Sequence, residues 1–83
     1  MELLYFARLR ETIGHGSETL SLPENITDVA GLIAHLREKG DTYRAAFDDK
    51  ALIRVAVNQT HVDFDHPLTD GDEVAFFPPM TGG

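Results

Sequence analysis

The stretch of sequence that decides the fold is residues 27–40, TDVAGLIAHLREKG. Its apolar side chains recur at i, i+3, i+4 and i+7, which predicts a helix with one apolar stripe. The stripe consists of Val29, Leu32, Ile33 and Leu36. Thr27 is predicted to cap the start of this helix, and Gly40 is predicted to end it. Because such a helix covers only one face of a sheet, the flanking segments must supply the rest of the core.

The segment before the helix predicts an N-terminal hairpin. Residues 3–9, LLYFARL, are apolar on both alternating faces, which is typical of a central strand. Residues 18–22, ETLSL, alternate between polar and apolar, as a half-buried strand does. Gly14 and Gly16 mark the turn between these two predicted strands.

After the helix, the chain predicts a short second helix and three further strands. Asp41 begins the short helix, in which Tyr43, Ala46 and Phe47 share one face. The three strands are predicted at residues 53–57, 61–63 and 73–77. A turn is expected at residues 58–60, and Leu68 is expected to tuck inside the domain.

This order of elements predicts an α+β domain, in which a mixed sheet of about five strands packs on one main helix plus a short second helix. A hairpin, a crossing helix and further strands form the arrangement seen in ubiquitin, so the predicted fold class is the ubiquitin-like β-grasp. Residues 1–77 are expected to form the domain. Residues 78–83 are expected to form a flexible C-terminal tail ending in Gly-Gly.

Composition and charge narrow the possible partners. The 83-residue chain has no cysteine, which excludes disulfides and thiolate metal sites, and its net charge is −7. Its basic residues are scattered, which argues against nucleic acid and against anionic membranes. The acidity suits docking on a basic protein surface, although it also fits a role in solubility alone. With no signal peptide or long apolar run, the chain is expected to be cytoplasmic.

The interior of the chain offers no convincing catalytic or metal-binding pattern. The four histidines are scattered, and none forms an i, i+4 pair on the predicted helix. Asp63, Asp65 and His66 lie close together, but without a further ligand they are more typical of a solvated loop. We therefore predict no metal and no intrinsically bound cofactor. Whether the chain is an enzyme stays open, since it has no complete active site of its own.

The C-terminal residues carry the chemical prediction. Pro78 and Pro79 have no N–H to donate, so they end strand pairing and hold the following residues extended. Gly82 and Gly83 have no Cβ and can pass through a narrow channel. Once a partner has converted the Gly83 carboxylate to an acyl adenylate, a nucleophile can displace AMP. These features predict a carrier or a modifier whose reactive group is its own C-terminus.

The segment FFPPMTGG at residues 76–83 follows LTDGDEV at residues 68–74. In these two segments the chain resembles one family, the small subunits of molybdopterin synthase, which are ubiquitin-like β-grasp sulfur carriers. AVNQ at residues 56–59 and YFARLRE at residues 5–11 extend the resemblance over essentially the whole chain. The resemblance implies that the first and last strands are adjacent and parallel in the middle of the sheet.

The resemblance also implies a reaction cycle and its partners. An ATP-dependent adenylyltransferase of the ubiquitin-activating type would adenylate Gly83, and a sulfurtransferase would supply sulfur to form a thiocarboxylate. The tail would then enter the large synthase subunit and donate sulfur to cyclic pyranopterin monophosphate, which forms the dithiolene of molybdopterin. The implied assembly is a heterotetramer. The residues of the inserted tail would be Pro78, Pro79, Met80, Thr81 and Gly82.

A partner interface is predicted on the sheet face away from the main helix. The residues expected there are Ala56, Val62, Ala75 and Phe77, with Phe77 as the large apolar anchor nearest the tail. Two alternatives to the synthase role remain open. The chain could be a ubiquitin-like protein modifier conjugated through Gly83, or a sulfur carrier for thiazole or another sulfur metabolite.

Overall fold

The computed structural model describes residues 1–79 of the chain, which form one mixed five-stranded sheet with three helices. The predictions for Met80, Thr81, Gly82 and Gly83 lie outside the described residues. The strands are β1 (Glu2–Tyr5), β2 (Ser17–Thr19), β3 (Arg54–Val57), β4 (Thr60–Val62) and β5 (Glu73–Phe77). The helices are α1 (Ala7–Ile13), α2 (Val29–Arg37) and α3 (Asp41–Ala46), and a 3-10 turn spans Lys50–Leu52.

The strand order is β2-β1-β5-β3-β4, and this order confirms the predicted β-grasp fold. The first and last strands, β1 and β5, are adjacent, parallel and central, while every other pair of neighbours is antiparallel. The last strand of the chain is therefore hydrogen-bonded on both sides. Whatever follows Phe77 leaves from the middle of one end of the sheet.

Helix α2 has the predicted apolar stripe, but its capping residues differ from the prediction. Val29, Leu32, Ile33 and Leu36 are all buried. The N-cap is Asp28 rather than Thr27, because the Asp28 carboxylate accepts a hydrogen bond from the Gly31 N–H at 2.8 Å. The helix ends at Arg37, with Glu38 as its C-cap, so Gly40 instead precedes α3.

The core fills the space between the helices and one face of the sheet. Leu3, Tyr5, Val74 and Phe76 from the two central strands have relative exposures of 1 % or less. Phe47, just after α3, packs edge-on against Phe76 with ring centroids 5.0 Å apart. Leu68 is buried as predicted. The short second helix predicted from residues 41–47 is thus confirmed as α3, with Ala46 and Phe47 buried and Tyr43 partly buried against the core.

Helix α1 is the main departure from the predicted elements. The strand expected over residues 3–9 ends at Tyr5, and the chain turns into a helix whose buried residues are Leu9 and Ile13. Gly14, with φ of 101°, ends this helix in the left-handed conformation, and its N–H donates to the Arg10 carbonyl. The i, i+4 spacing of Leu9 and Ile13 followed by a glycine was the available signal.

A two-residue turn sets the register of the β3–β4 hairpin. Asn58 and Gln59 both have positive φ, 50° and 70°, as a turn of type I′ requires. Asn58 also binds the start of β5, because its side-chain oxygen accepts from the Glu73 N–H at 3.0 Å and its amide donates to Asp72. The turn predicted at residues 58–60 is therefore confirmed at residues 58–59, and Thr60 already belongs to β4.

Candidate functional site: the outer face of the sheet

The side of the sheet opposite the helices, called here the outer face, carries alternate residues of each strand. In the centre of the sheet, Val74 and Phe76 of β5 point into the core, so Glu73, Ala75 and Phe77 point outward. The strand register extends this set across the neighbouring strands. The outer face thus includes Glu2, Leu4, Arg54, Ala56, His61, Glu73, Ala75 and Phe77.

Phe77 is the last residue of β5 and lies on the outer face beside two potentially cationic side chains. It is paired with Arg54 of β3, and its ring centroid is 5.2 Å from that of His61 on β4. The Arg54 guanidinium donates to the Ile53 carbonyl at 3.0 Å. Phe77 keeps part of its surface exposed. An accessible aromatic ring therefore marks the end of the sheet from which the C-terminal residues leave.

Three of the four predicted interface residues lie on the outer face, and one does not. Ala75 and Phe77 are there and partly exposed. Ala56 is there but only 7 % exposed, since the rings of His61 and Phe77 approach each other across its strand. The placement of Val62 on this face was wrong. Val62 pairs with Val55, which points inward, and it packs partly buried against the core.

Phe6 is an exposed aromatic residue that the sequence analysis did not assign to the interface. It follows β1, its N–H donates to the Phe76 carbonyl at 3.1 Å, and 47 % of its surface is exposed. Since β1 and β5 are parallel, Phe6 ends up level with Phe77. Phe6 is two residues after Leu4, so continued alternation along β1 would have predicted both side chains on the outer face. Phe6 and Phe77 therefore place two aromatic side chains at the C-terminal end of the two central strands.

The start of the C-terminal segment agrees with the chemistry of proline. Strand pairing stops at Phe77, and Pro78 and Pro79 follow outside the sheet. Neither proline can donate a backbone hydrogen bond to β1 or β3. The division of the chain into a domain of residues 1–77 and a tail of residues 78–83 stays a prediction, as does the role of each tail residue.

A polar cluster lies on the helix side of the sheet, around Glu18, and we call it the Glu18 cluster. The Glu18 carboxylate accepts hydrogen bonds from Tyr43 at 2.6 Å, from Lys39 at 2.7 Å and from Tyr5 at 2.9 Å, and His15 Nε2 lies 3.1 Å from it. These residues come from β1, β2, α3 and the segments after α1 and α2. The Lys39 ammonium also lies 4.9 Å from the centroid of the Tyr43 ring.

The electrostatics of the Glu18 cluster favour the charged carboxylate. Burial alone would raise the pKa of Glu18, but the hydrogen bonds from Lys39, Tyr43, His15 and Tyr5 outweigh it and lower the pKa to about 2. The same contact with Glu18 raises the pKa of Lys39. Burial, followed by the hydrogen bond to Glu18, raises the pKa of Tyr5. The cluster thus joins the edge strand β2 to the helices through a charged hydrogen-bond network.

Two features are absent from residues 1–79. Within that part of the chain, no group of three or more histidine, aspartate or glutamate side chains is placed to hold a metal ion. Among those same residues, no helix has the length and apolar character needed to cross a membrane.

The sheet order and the placement of β5 define a ubiquitin-like β-grasp domain. The chain belongs to the ThiS family, whose model matches residues 3–83. It is 46 % identical over 83 residues to the molybdopterin synthase sulfur carrier subunit of Escherichia coli, with 100 % of this chain and 99 % of that protein covered.

Two solved structures share the fold. The small archaeal modifier protein 1 of Haloferax volcanii superimposes with a TM-score of 0.77 at 24 % identity, covering 96 % of this chain and 97 % of that one. A chain of the complex of subunits 1 and 2 of molybdopterin-converting factor from Helicobacter pylori gives a TM-score of 0.60 at 23 % identity, covering 99 % of this chain and 96 % of that one. At these identities, the two structures support the fold alone.

Proposed function

We propose that this chain is a sulfur carrier that acts as the small subunit of molybdopterin synthase. Gly83 would be adenylated, converted to a thiocarboxylate and then used to donate sulfur to cyclic pyranopterin monophosphate. The observation that carries the proposal is the 46 % identity to a sulfur carrier subunit over the full length of both chains. The aligned region spans the whole of this chain, including residues 78–83, and the family model also extends to residue 83.

The chemistry of activation requires a partner. Attack of the Gly83 carboxylate on the α-phosphorus of ATP forms an acyl adenylate and releases pyrophosphate. The persulfide of a sulfurtransferase then attacks the acyl carbon and displaces AMP, so that a C–S bond replaces a C–O bond. A second thiol reduces the resulting acyl disulfide, which releases the thiocarboxylate and leaves a disulfide between the two thiols. An adenylyltransferase of the ubiquitin-activating type would provide the ATP site, and the cytoplasm would provide the ATP.

The position of β5 supports delivery of the carboxyl group into a partner. Six residues follow Phe77, and an extended chain of that length reaches at most about 20 Å. The segment starts at a strand fixed on both sides, so its base has a defined direction. The tail residues Pro78, Pro79, Met80, Thr81 and Gly82 would then enter the large subunit and place Gly83 at the acceptor.

The outer face is the surface we propose for docking on the large subunit, within a heterotetramer of two large and two small subunits. It presents Phe6 and Phe77 beside the point where the tail leaves, with Leu4 and Ala75 next to them. Exposed aromatic side chains of this kind are frequent energetic anchors of protein interfaces. The helices lie on the opposite side, so docking here leaves the core intact.

The protein-modifier role and the thiazole-carrier role predict different products. Both share the chemistry of adenylation, and the modifier neighbour supports only the fold at 24 % identity. A modifier forms amide conjugates that survive reducing agent, whereas a thiazole carrier supports thiamine synthesis. In a deletion strain, we expect loss of molybdoenzyme activity, continued growth without thiamine and no loss of a conjugate ladder.

The direct test is the intact mass of the chain after co-expression with its adenylyltransferase and a sulfurtransferase. We expect the mass change of one oxygen-to-sulfur exchange, confined to the C-terminal peptide. The charged carrier should then convert cyclic pyranopterin monophosphate to molybdopterin when mixed with the large subunit. A chain lacking Gly83 is the matched control. An unchanged mass, or equal transfer by the control, would overturn the proposal.

A further inference from the structure

Two glutamates lie side by side on the outer face, at the end of the sheet away from Phe77. Glu2 of β1 is in register with Glu73 of β5, and both strands lie inside the sheet. Paired residues on neighbouring strands point to the same face, and like charges in that position destabilise a sheet. The isolated domain therefore keeps a like-charge pair at a position where a neutral pair would make the fold more stable.

Neither carboxylate is balanced by a cation in the described part of the chain. The four ion pairs found there use other acidic groups. Glu2 accepts only a hydrogen bond from the Thr19 hydroxyl at 3.2 Å. Asp72, in the turn before β5, adds negative charge at the same end of the sheet. The N-terminal ammonium of Met1 lies there too, but its ion pair is with Asp70, at 3.9 Å. This end of the outer face therefore keeps a net negative charge.

The charged end and the aromatic end belong to one continuous surface. On β1 the outward residues Glu2 and Leu4 lead to Phe6, and on β5 Glu73 and Ala75 lead to Phe77. The two ends are four residue steps apart along each strand, or about 13 Å at the usual rise of a strand. The two rows run side by side, because β1 and β5 are parallel. The outer face therefore has a polarity, acidic at one end and aromatic at the other.

We propose that the outer face docks in a single orientation, with the Glu2–Glu73 pair on a cluster of arginine or lysine side chains of the partner. The aromatic end would occupy an apolar recess about 13 Å away from that cluster. This inference rests on the proposed function, because the partner it describes is the large subunit. The basic cluster would speed encounter and align β5, so that the tail points toward the partner's channel.

The proposal also accounts for the cost of the like-charge pair. A partner cation placed between the two carboxylates turns an unfavourable contact into a favourable one, but only in the complex. Stability of the free domain and speed of docking should therefore respond to these residues in opposite directions. A pair of glutamates that serves solubility alone would not couple the two properties in this way.

The experiment compares wild type with Glu2→Gln/Glu73→Gln and with a control, Glu24→Gln/Glu38→Gln. The control removes the same charge from two exposed glutamates outside the sheet. Association with the large subunit of the same organism is followed by stopped flow at several salt concentrations. Thermal unfolding of each free variant is recorded in parallel.

We expect the Glu2→Gln/Glu73→Gln variant to melt about 1–5 °C higher than wild type, because like-charge repulsion is removed. At low salt it should associate about three- to tenfold more slowly, with a weaker dependence on salt. The control should associate nearly as fast as wild type. Equal association rates for the two variants would overturn this inference while leaving the proposed function intact. Failure of wild type itself to bind the large subunit would instead overturn the proposed function, and this inference with it.

Discussion

Protonation of Glu18 should remove a defined part of the stability of this domain. Its carboxylate accepts three hydrogen bonds from Tyr5, Lys39 and Tyr43, and its side chain is only 17 % exposed. These contacts and His15 lower its pKa from the ordinary 4.5 of a glutamate to about 2. One unit of pKa corresponds to about 1.4 kcal/mol. The lowered pKa therefore sets a ceiling of about 3 kcal/mol on the stability that the Glu18 carboxylate contributes at neutral pH.

The expected effect is smaller than this ceiling because part of the network faces solvent. The Lys39 side chain is 34 % exposed, and water and salt screen its attraction to Glu18. We therefore expect Glu18→Gln to lower the free energy of unfolding by about 2 kcal/mol at pH 7. Glutamine keeps one acceptor oxygen, which can serve Tyr5 and Tyr43. Its NH₂ group would then replace the oxygen that accepts from Lys39, so that contact is lost.

The sign of the pH dependence follows from the lowered pKa. A carboxylate with a lower pKa in the folded state stabilises the fold above the pKa of the unfolded chain. That stabilisation is lost as the pH falls from about 4.5 toward 2. Urea unfolding of wild type should therefore show a loss of about 2 kcal/mol from this group over that interval. Glu18→Gln should lack this part of the loss, so that the two stability curves converge in acid.

The matched control is Glu24→Gln, an exposed glutamate in the loop before α2. It removes the same charge and should leave both the stability at pH 7 and the acid transition nearly unchanged. If Glu18→Gln and Glu24→Gln lose stability with the same pH profile as wild type, the charged network at Glu18 does not stabilise the fold. Circular dichroism at pH 7 checks that each variant is folded.

Three further outcomes test the outer face, the hairpin turn and the C-terminus. Phe77→Ala should leave the domain folded but weaken binding to the large subunit by about 1–3 kcal/mol, and an unchanged affinity by calorimetry would count against the anchor. Gln59→Gly should stabilise the domain by about 0.5–1 kcal/mol in urea unfolding, since glycine tolerates the positive φ of 70°, whereas Gln59→Ala should give no gain. One residue added after Gly83 shifts the reactive carbon by about 3.5 Å and should nearly abolish sulfur transfer, and full activity of the extended chain would refute a reactive Gly83. A tag at Met1 should be tolerated better than one at the C-terminus, provided that it clears the proposed docking surface at the neighbouring Glu2.

Local periodicity predicted the parts of the fold that depend on one element at a time. The stripe of α2 and the alternation of β5 were visible because each lies within one short segment. Helix α1 was missed because residues 3–9 are apolar on both alternating faces. This pattern is typical of a central strand, but it also fits a strand that leads directly into a buried helix. The parallel pairing of β1 with β5 came from the family resemblance, since no local pattern encodes which strands become neighbours.

The candidate site depended on register and on contacts far apart in the sequence. Val62 was assigned to the wrong face because the predicted turn had three residues, whereas the observed turn has only Asn58 and Gln59. A difference of one residue in register moves every side chain of a strand to the opposite face. The Glu18 cluster joins residues separated by 13 to 25 positions through Tyr5, Lys39 and Tyr43, so no spacing rule could reveal it. The outer face was nevertheless predicted correctly at Ala75 and Phe77, because β5 follows strict alternation.

The assignment of opposite roles to Phe76 and Phe77 depends on a small set of hydrogen bonds at the other end of β5. Phe76 is fully buried and Phe77 is partly exposed, yet both are phenylalanines one residue apart. A one-residue slip of β5 against β3 would exchange them and place Phe76 on the outer face. Asn58 opposes that slip, because its backbone N–H donates to the Glu73 carbonyl at 2.8 Å while its side chain accepts from the Glu73 N–H. The residues that determine the proposed docking surface thus include Asn58, which lies at the far end of β5 and fixes which of the two phenylalanines is exposed there.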